Sequence, residues 1–245
     1  MLLCDFDGTL APIVEVPADA RPLDGVPEVL ARLARRFASV TVVSGRPVGF
    51  LWDRLGQVAT GPGPVVRLVG LYGMERAGRD GTPEMDTAVA AWLPVVAEAT
   101  ALLRDGAPVG VRVEPKGAAV TVHFRGAPAG AGWVADRAAS VAASTGLVAH
   151  PGRLSVELRP PVDVDKGRVV REAARGCSAA AFFGDDLGDL PAFDELDRLA
   201  ADDGLATVGV AVIDGEAAPE VAARADLSVD GPAGALAVLA WLAGS

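Results

Sequence analysis

The chain has 245 residues, 51% of them hydrophobic and 22% charged, with a formal net charge of −10. This length can bury a core in one large domain or two modest ones, and the composition is globular rather than disordered. The acidic balance offers no broad basic field for nucleic acid or an anionic membrane, although a few local cations would still hold a small anion.

The first apolar run, "MLLCDF", reads as a buried strand that ends on the paired acids of "CDFDGTL". Residues i and i+2 of a strand share a face. Asp5 and Asp7 would therefore be like charges side by side inside a strand, and they fit the end of one instead. "GVPEVLARLARRFA" places Val26, Val29, Leu30, Leu33 and Phe37 at helical spacing, with Arg32, Arg35 and Arg36 for the other face. "SVTVVSG" is a second buried strand ending in Ser44-Gly45, and "VVRLVGLYG" a third. Strand, helix, strand in this order predicts parallel βαβ units.

Near Gly78–Pro83 the texture changes. A long helix, "MDTAVAAWLPVVAEATALLRD", leads to two hairpin strands, "VGVRVEPKG" and "AAVTVHFRG", around a "PKG" turn. A second helix, "AGWVADRAASVAASTG", and the strand "LSVELRP" complete an α+β block; His150, beside Pro151-Gly152, reads as loop. From about Asp165 the first texture returns with helix "KGRVVREAARG", strand "SAAAFFGDD", helix "LPAFDELDRLA" and strand "ATVGVAV". The apolar "PAGALAVLAWLAG" closes the chain as a core-packed helix. The expected fold is α/β, a parallel-sheet core of residues 1–80 and 160–245 interrupted by an α+β insert at 81–159. Linkers at Gly78–Pro83 and Arg159–Val164 carry the Gly and Pro content of hinges that would let the insert close over a ligand.

Cys4 and Cys177 make no disulfide framework, so a reducing cytoplasm is expected. The first apolar run is too short for a secretory leader, and no stretch reads as long and charge-free enough to span a bilayer.

Ligands of open α/β sheets bind beyond the carboxyl ends of the strands. Asp5 and Asp7, then Ser44-Gly45-Arg46, then Gly184-Asp185-Asp186 with Asp189 one turn on, all fall at such ends, and Lys166 opens the helix after the insert. Converging carboxylates need a positive charge among them, and all-oxygen ligands suit a hard cation such as Mg²⁺. Ser44, Lys166 and backbone N–H groups would remain for a phosphate, which together makes a phosphoryl-transfer site.

"DFDGT", "VSGR", "KG" and "GDD" in this order resemble the haloacid dehalogenase-like phosphohydrolases, whose core is Rossmann-like and in some members carries an inserted α+β cap. The resemblance implies that Asp5 attacks phosphorus and that Asp7 protonates the leaving alcohol and later activates water. It implies Mg²⁺ on the Asp5 carboxylate, the Asp7 main-chain carbonyl and Asp185. Asp186 and Asp189 would complete the acidic shell or orient Lys166. Ser44 and Lys166 would bind the phosphoryl oxygens, with Gly8, Thr9 and Arg46 as further substrate contacts.

"FDGTLAPI", "GLYGME", "VEPKGAAVTVHFR" and "GRLSVELRP" are similar to segments of trehalose-6-phosphate phosphatases. By that resemblance Glu114, Lys116, Arg153 and Glu157 meet the hydroxyls of a disaccharide, with Glu75 and His123 as further candidates. Three positions depart from the pattern. Gly188 and Leu190 stand where Thr and Glu are usual, and Arg153 where Lys is usual. The implied function is hydrolysis of trehalose 6-phosphate by a monomeric enzyme whose partner is a small sugar phosphate, with neither nucleic acid nor membrane. A phosphatase of sucrose phosphate or a mannosyl-phosphoglycerate, and a non-catalytic trehalose-phosphate sensor, stay open as alternatives.

Overall fold

The computed structural model describes residues 1–152, 154–214 and 219–244. In chain order the elements are β1 (Leu2–Cys4), α1 (Val26–Arg36), β2 (Val40–Val43), α2 (Val48–Ala59), β3 (Arg67–Gly70), β4 (Glu75–Ala77) and β5 (Pro83–Glu84). Next come α3 (Thr87–Ala90), α4 (Leu93–Arg104), β6 (Arg112–Pro115), β7 (Val120–His123), α5 (Ala131–Thr145), β8 (Val148–Gly152) and β9 (Ser155–Arg159). The last are α6 (Lys166–Ala174), β10 (Ala179–Gly184), α7 (Leu190–Asp203), β11 (Ala206–Ile213), α8 (Pro219–Arg224), β12 (Leu227–Asp230) and α9 (Gly231–Leu242). The chain divides into two compact units, Met1–Glu84 with Val164–Ser245, and Met85–Asp163.

The first unit holds a sheet of order β12-β11-β10-β1-β2-β3-β4-β5. It is parallel from β12 to β3 and antiparallel for β4 and β5. A parallel strand covered on both faces needs an unbroken apolar run, and Leu2, Leu3 and Cys4 are wholly buried. Alternation sends Leu2, Cys4, Val40 and Val42 into one core with α1, α2 and α9. Leu3, Val43 and Phe182 join α6, α7 and α8 in the other. The chain leaves β1 for β2 on one side and returns to β10 on the other, so the strand order reverses beside β1. In open α/β sheets that reversal opens a crevice at the carboxyl ends.

Several elements go beyond the sequence reading. Gly78–Pro83, expected as a linker, is the turn of the β4–β5 hairpin: the Gly78 N–H donates to Thr82 O at 2.9 Å. The apolar α9 buries only a stripe, Ala235 and Leu239, while Trp241 is 72% exposed.

The second unit is an antiparallel sheet of order β6-β7-β9-β8 with α4 and α5 on one face. Val120, Val122 and Leu158 enter that core with Val96, Ala99, Leu103, Val134 and Val141. The opposite parity lines up Glu114, Thr121, Glu157 and His150 across the four strands, with Arg112, His123 and Ser155 in the next row. His150 thus lies in β8 rather than in a loop, and Arg159 ends β9 rather than a linker. The single long helix is broken into α3 and α4 because Pro94 has no N–H to give and its ring clashes with the carbonyl four residues back. Contrary to the sequence reading, Thr87–Arg104, at 18 residues and mean hydropathy 1.3, is long and apolar enough to cross a membrane by length and composition. Here one stripe of it fills the core of this unit.

Candidate active site

The paired acids of the first motif part company once β1 ends at Cys4. The Asp5 N–H donates to Phe183 O of β10 at 2.8 Å, which holds Asp5 at the sheet edge. Its Oδ1 lies 2.9 Å from Lys166 Nζ. Asp7 leaves the strand and forms an isolated bridge with Ala11. Both its oxygens accept from Arg46, at 2.7 Å from Nε and 2.8 Å from Nη2. Each of the two like charges is therefore given its own cation. Arg46 also lies over the Phe50 ring at 4.4 Å.

Lys166 is the first residue of α6 and only 2% exposed. Both burial and the positive end of the helix dipole disfavour an ammonium there. Two carboxylates offset this, Asp189 Oδ1 at 2.6 Å and Asp5 Oδ1 at 2.9 Å. Burial pulls the Lys166 pKa down, yet Asp189, Asp5 and Asp186 together hold it well above the usual lysine value. Asp165 caps the helix by accepting from the Arg168 N–H at 2.8 Å.

Asp189 is fully buried with both oxygens engaged: Oδ1 by Lys166, Oδ2 by the N–H groups of Asp185 at 2.9 Å and Asp186 at 3.1 Å. Asp186 caps the same turn, accepting from the Gly188 N–H at 2.8 Å. Asp185 Oδ1 accepts from the Thr9 hydroxyl at 3.0 Å. Its Oδ2 rests against Gly8, where a Cβ would stand 2.0 Å away. Gly8 also has φ +77°, so the position needs glycine on both counts.

Asp5, Asp185 and Asp189 bring carboxylate oxygens within 4.8 Å of one another, all buried. Burial first, then the neighbouring carboxylates, push Asp185 up to about 10. Burial likewise pushes Asp5 well up, against the pull of Lys166. Asp5 Oδ1 has an ion-pair neighbour in Lys166 but, among the described residues, no donor aligned for a hydrogen bond. One further positive charge would resolve both features, and an oxygen-only donor set suits a hard divalent cation. Burial and then Asp5 push the adjacent Cys4 thiol up. With Asp189 engaged on both sides, Asp5 and Asp185 are the carboxylates with capacity to hold the ion.

Ser44, at the end of β2 and buried, accepts from the Arg46 N–H at 3.1 Å. Gly8 and Thr9, expected to face substrate, turn donors inward: the Gly8 N–H to Ala11 O at 2.7 Å, the Thr9 hydroxyl to Asp185. Glu75, weighed as a sugar contact, belongs to the first unit and accepts from the Val48 N–H at the start of α2, 2.9 Å away.

In the second unit Glu157, 6% exposed, accepts from Lys116 at 3.1 Å, Thr121 at 3.0 Å and Arg159 at 2.9 Å. Burial raises its pKa, but Lys116 and Arg159 outweigh that and hold the carboxyl below the usual range. Glu114 and His123 Nε2 are paired at 2.7 Å. Arg153 lies outside the described residues. The sequence reading missed Thr121 and Arg159, although two-residue alternation in "VTVH" and "SVELR" puts both on the face of Glu157.

The trehalose-phosphatase family model matches residues 3–231. Trehalose-phosphate phosphatase of Mycolicibacterium paratuberculosis is 37% identical over 206 residues, 78% of this chain and 49% of that protein. The Mycobacterium tuberculosis H37Rv protein of the same name gives 37% over 206 residues, with the same shares of 78% and 49%. The chain thus spans about half the length of the curated relatives it matches. The fold is shared with a solved trehalose-6-phosphate phosphatase related protein, at TM-score 0.79 and 23% identity, covering 99% of this chain and 97% of that one. It is shared too with the C-terminal domain of a Candida albicans trehalose synthase regulatory protein, at TM-score 0.67 and 16% identity over 99% and 93%.

Proposed function

The chain belongs to the trehalose-phosphatase family, and we propose that it hydrolyses trehalose 6-phosphate to trehalose and inorganic phosphate with Mg²⁺ as its metal. The observation that supports this most is buried Asp5, which faces Lys166 and lies in one carboxylate cluster with Asp185. An Asp5 oxygen attacks phosphorus and the bond from phosphorus to the sugar oxygen breaks, while Asp7, which has to enter this step protonated with one oxygen released from Arg46, gives that oxygen its proton. Water then loses a proton to Asp7 and attacks the acyl phosphate, which releases phosphate and restores Asp5. Such general acid help is worth about 10²- to 10⁴-fold for an alkoxide leaving group. The Ser44 hydroxyl and Lys166 ammonium donate to the phosphoryl oxygens, and Asp189 and Asp186 hold Lys166 and the Asp185 turn in place.

Asp5, Asp185 and the Asp7 main-chain carbonyl would hold Mg²⁺, which supplies neutralisation of charge on the nucleophile and the phosphoryl group. The polar face of the second unit reads the sugar. Glu114, Lys116, His123 and Glu157 offer the mixed donors and acceptors that hydroxyls need, and Arg153 is a further candidate by the motif resemblance alone.

The test is phosphate release, with Mg²⁺, from a panel of sugar phosphates that includes trehalose 6-phosphate, with Asp5→Asn as the blank. Preference for trehalose 6-phosphate that vanishes in Asp5→Asn supports the reading. Even turnover across the panel removes the sugar assignment, and binding without turnover replaces the enzyme with a sensor.

A further inference from the structure

The turn after β3 is strained. Leu71 and Tyr72 have φ of 48° and 61°, the left-handed region that side-chain-bearing residues enter only when their surroundings over-determine it. Here the Leu71 N–H donates to Arg46 O at 3.0 Å, the Tyr72 N–H donates to Ser44 O at 2.9 Å, and Leu71 is wholly buried. The turn is thereby pinned to the loop that carries Ser44 and Arg46.

The strain aims the Tyr72 ring. Its centroid lies 5.8 Å from Lys166 Nζ. A Cβ on Gly45 would stand 2.5 Å from the Tyr72 hydroxyl, and one on Gly188 would stand 3.2 Å from Cε1. The ring thus sits in a slot between two glycines, one on the Ser44 loop and one on the Asp185–Asp189 turn. Gly188 is the position where the motif resemblance leads one to expect Thr. Its lack of a side chain leaves the width that the ring occupies.

We propose that Tyr72 is a positioning residue for phosphoryl transfer: its ring, seated between Gly45 and Gly188, holds the Lys166 ammonium against Asp5. This rests on the phosphatase reading above. An aromatic face attracts an ammonium. By excluding water it also keeps the local dielectric low, which strengthens the Lys166 ion pairs.

Two readouts test it in the full chain. The first is steady-state kinetics on trehalose 6-phosphate. Tyr72→Ala and Tyr72→Leu should lower kcat by about 5- to 30-fold, the worth of a desolvated cation–ring contact. KM should stay near wild type, and Tyr72→Phe should retain wild-type kcat. Gly188→Thr should lower kcat in the wild type and add no further loss in Tyr72→Leu.

The second readout is independent of activity. The chain's only other lysine is Lys116, so reductive methylation followed by mass spectrometry reads both lysines at once. Tyr72→Leu should speed labelling of Lys166 several-fold and leave Lys116 unchanged. Equal acceleration at both lysines would mean general loosening and overturn the proposal. Unchanged Lys166 labelling would overturn it too, whether or not the wild type turns over trehalose 6-phosphate. If Tyr72→Phe loses as much kcat as Tyr72→Leu, the hydroxyl rather than the ring is responsible, and the proposal is wrong. A wild type that releases no phosphate, yet shows the Lys166 labelling change, would sink the phosphatase reading and keep the ring's role.

Discussion

Glu157→Gln is a sharp probe of the second unit, because its carboxylate is a three-donor acceptor with no spare oxygen. Lys116 and Thr121 give to Oε2 and Arg159 gives to Oε1. Glutamine keeps one oxygen and replaces the other with an NH₂ group. Set one way, that NH₂ meets Arg159; set the other way, it meets Lys116 and Thr121. Either rotamer loses at least one hydrogen bond to a charged group, worth about 1.5–3 kcal/mol, and weakens those that remain. A neutral amide is cheaper to bury than a carboxylate, which offsets part of this. A net loss of ~2–3 kcal/mol should lower Tm by about 4–12 °C for a chain of this size.

Thr121→Val removes one neutral donor and should cost only about 1 kcal/mol. The pH dependence has a definite sign. The folded Glu157 carboxyl lies below its usual range. Its contribution is therefore fully present above the unfolded glutamate pKa of about 4.3 and lost as pH falls through the folded value. Calorimetry from neutral to acidic pH should show that part of the acid limb disappear in Glu157→Gln, with KM for trehalose 6-phosphate raised. A Tm within about 2 °C of wild type together with an unchanged acid limb would refute the reasoning.

Other outcomes follow from the first unit. A divalent cation at 100 times its Kd should stabilise the protein by about 2.7 kcal/mol, or roughly 5–11 °C in Tm, and Asp185→Asn should abolish the increment. Without metal, the raised Asp5 and Asp185 pKa values mean that the folded state binds more protons than the unfolded one. Metal-free stability should therefore fall as pH rises from the ordinary aspartate pKa towards about 10 for Asp185, and added metal should flatten that fall. Asp189→Asn meets Lys166 on one side and two backbone N–H groups on the other, so either amide orientation sets donor against donor. It should lower both Tm and kcat, with differential scanning and phosphate release as the assays. Arg46→Ala should reduce kcat/KM about 10- to 100-fold. Arg46→Lys should restore little of it, because one ammonium cannot reproduce the two-pronged grip on Asp7.

Much of the core was legible in the sequence because each motif sits where an apolar run stops: Asp5 after β1, Ser44 after β2, Asp185 after β10. Side-chain partners were not legible. Nothing in the spacing of Asp7 and Arg46 announces a two-bond grip across separate loops, nor that Asp189 would take Lys166 and two backbone donors at once. The left-handed turn at Leu71-Tyr72 was hidden because neither residue favours that conformation. Hydrogen bonds to Ser44 and Arg46, made across two chain segments, hold it. In the second unit the alternation of β7 and β9 is readable, whereas the register that brings Thr121 opposite Glu157 is set by strand pairing. The hairpin at Gly78–Pro83 looked like a linker because Gly and Pro mark tight turns as readily as hinges.

The most direct test is to mix enzyme, Mg²⁺ and trehalose 6-phosphate, quench in acid within the first turnover, and map modified peptides by mass spectrometry. An acyl phosphate on Asp5 that decays as phosphate appears, absent from Asp5→Asn, is the expected result. Phosphate release from Asp5→Asn at the wild-type rate, with no acyl phosphate trapped on Asp5 in either protein, would contradict it.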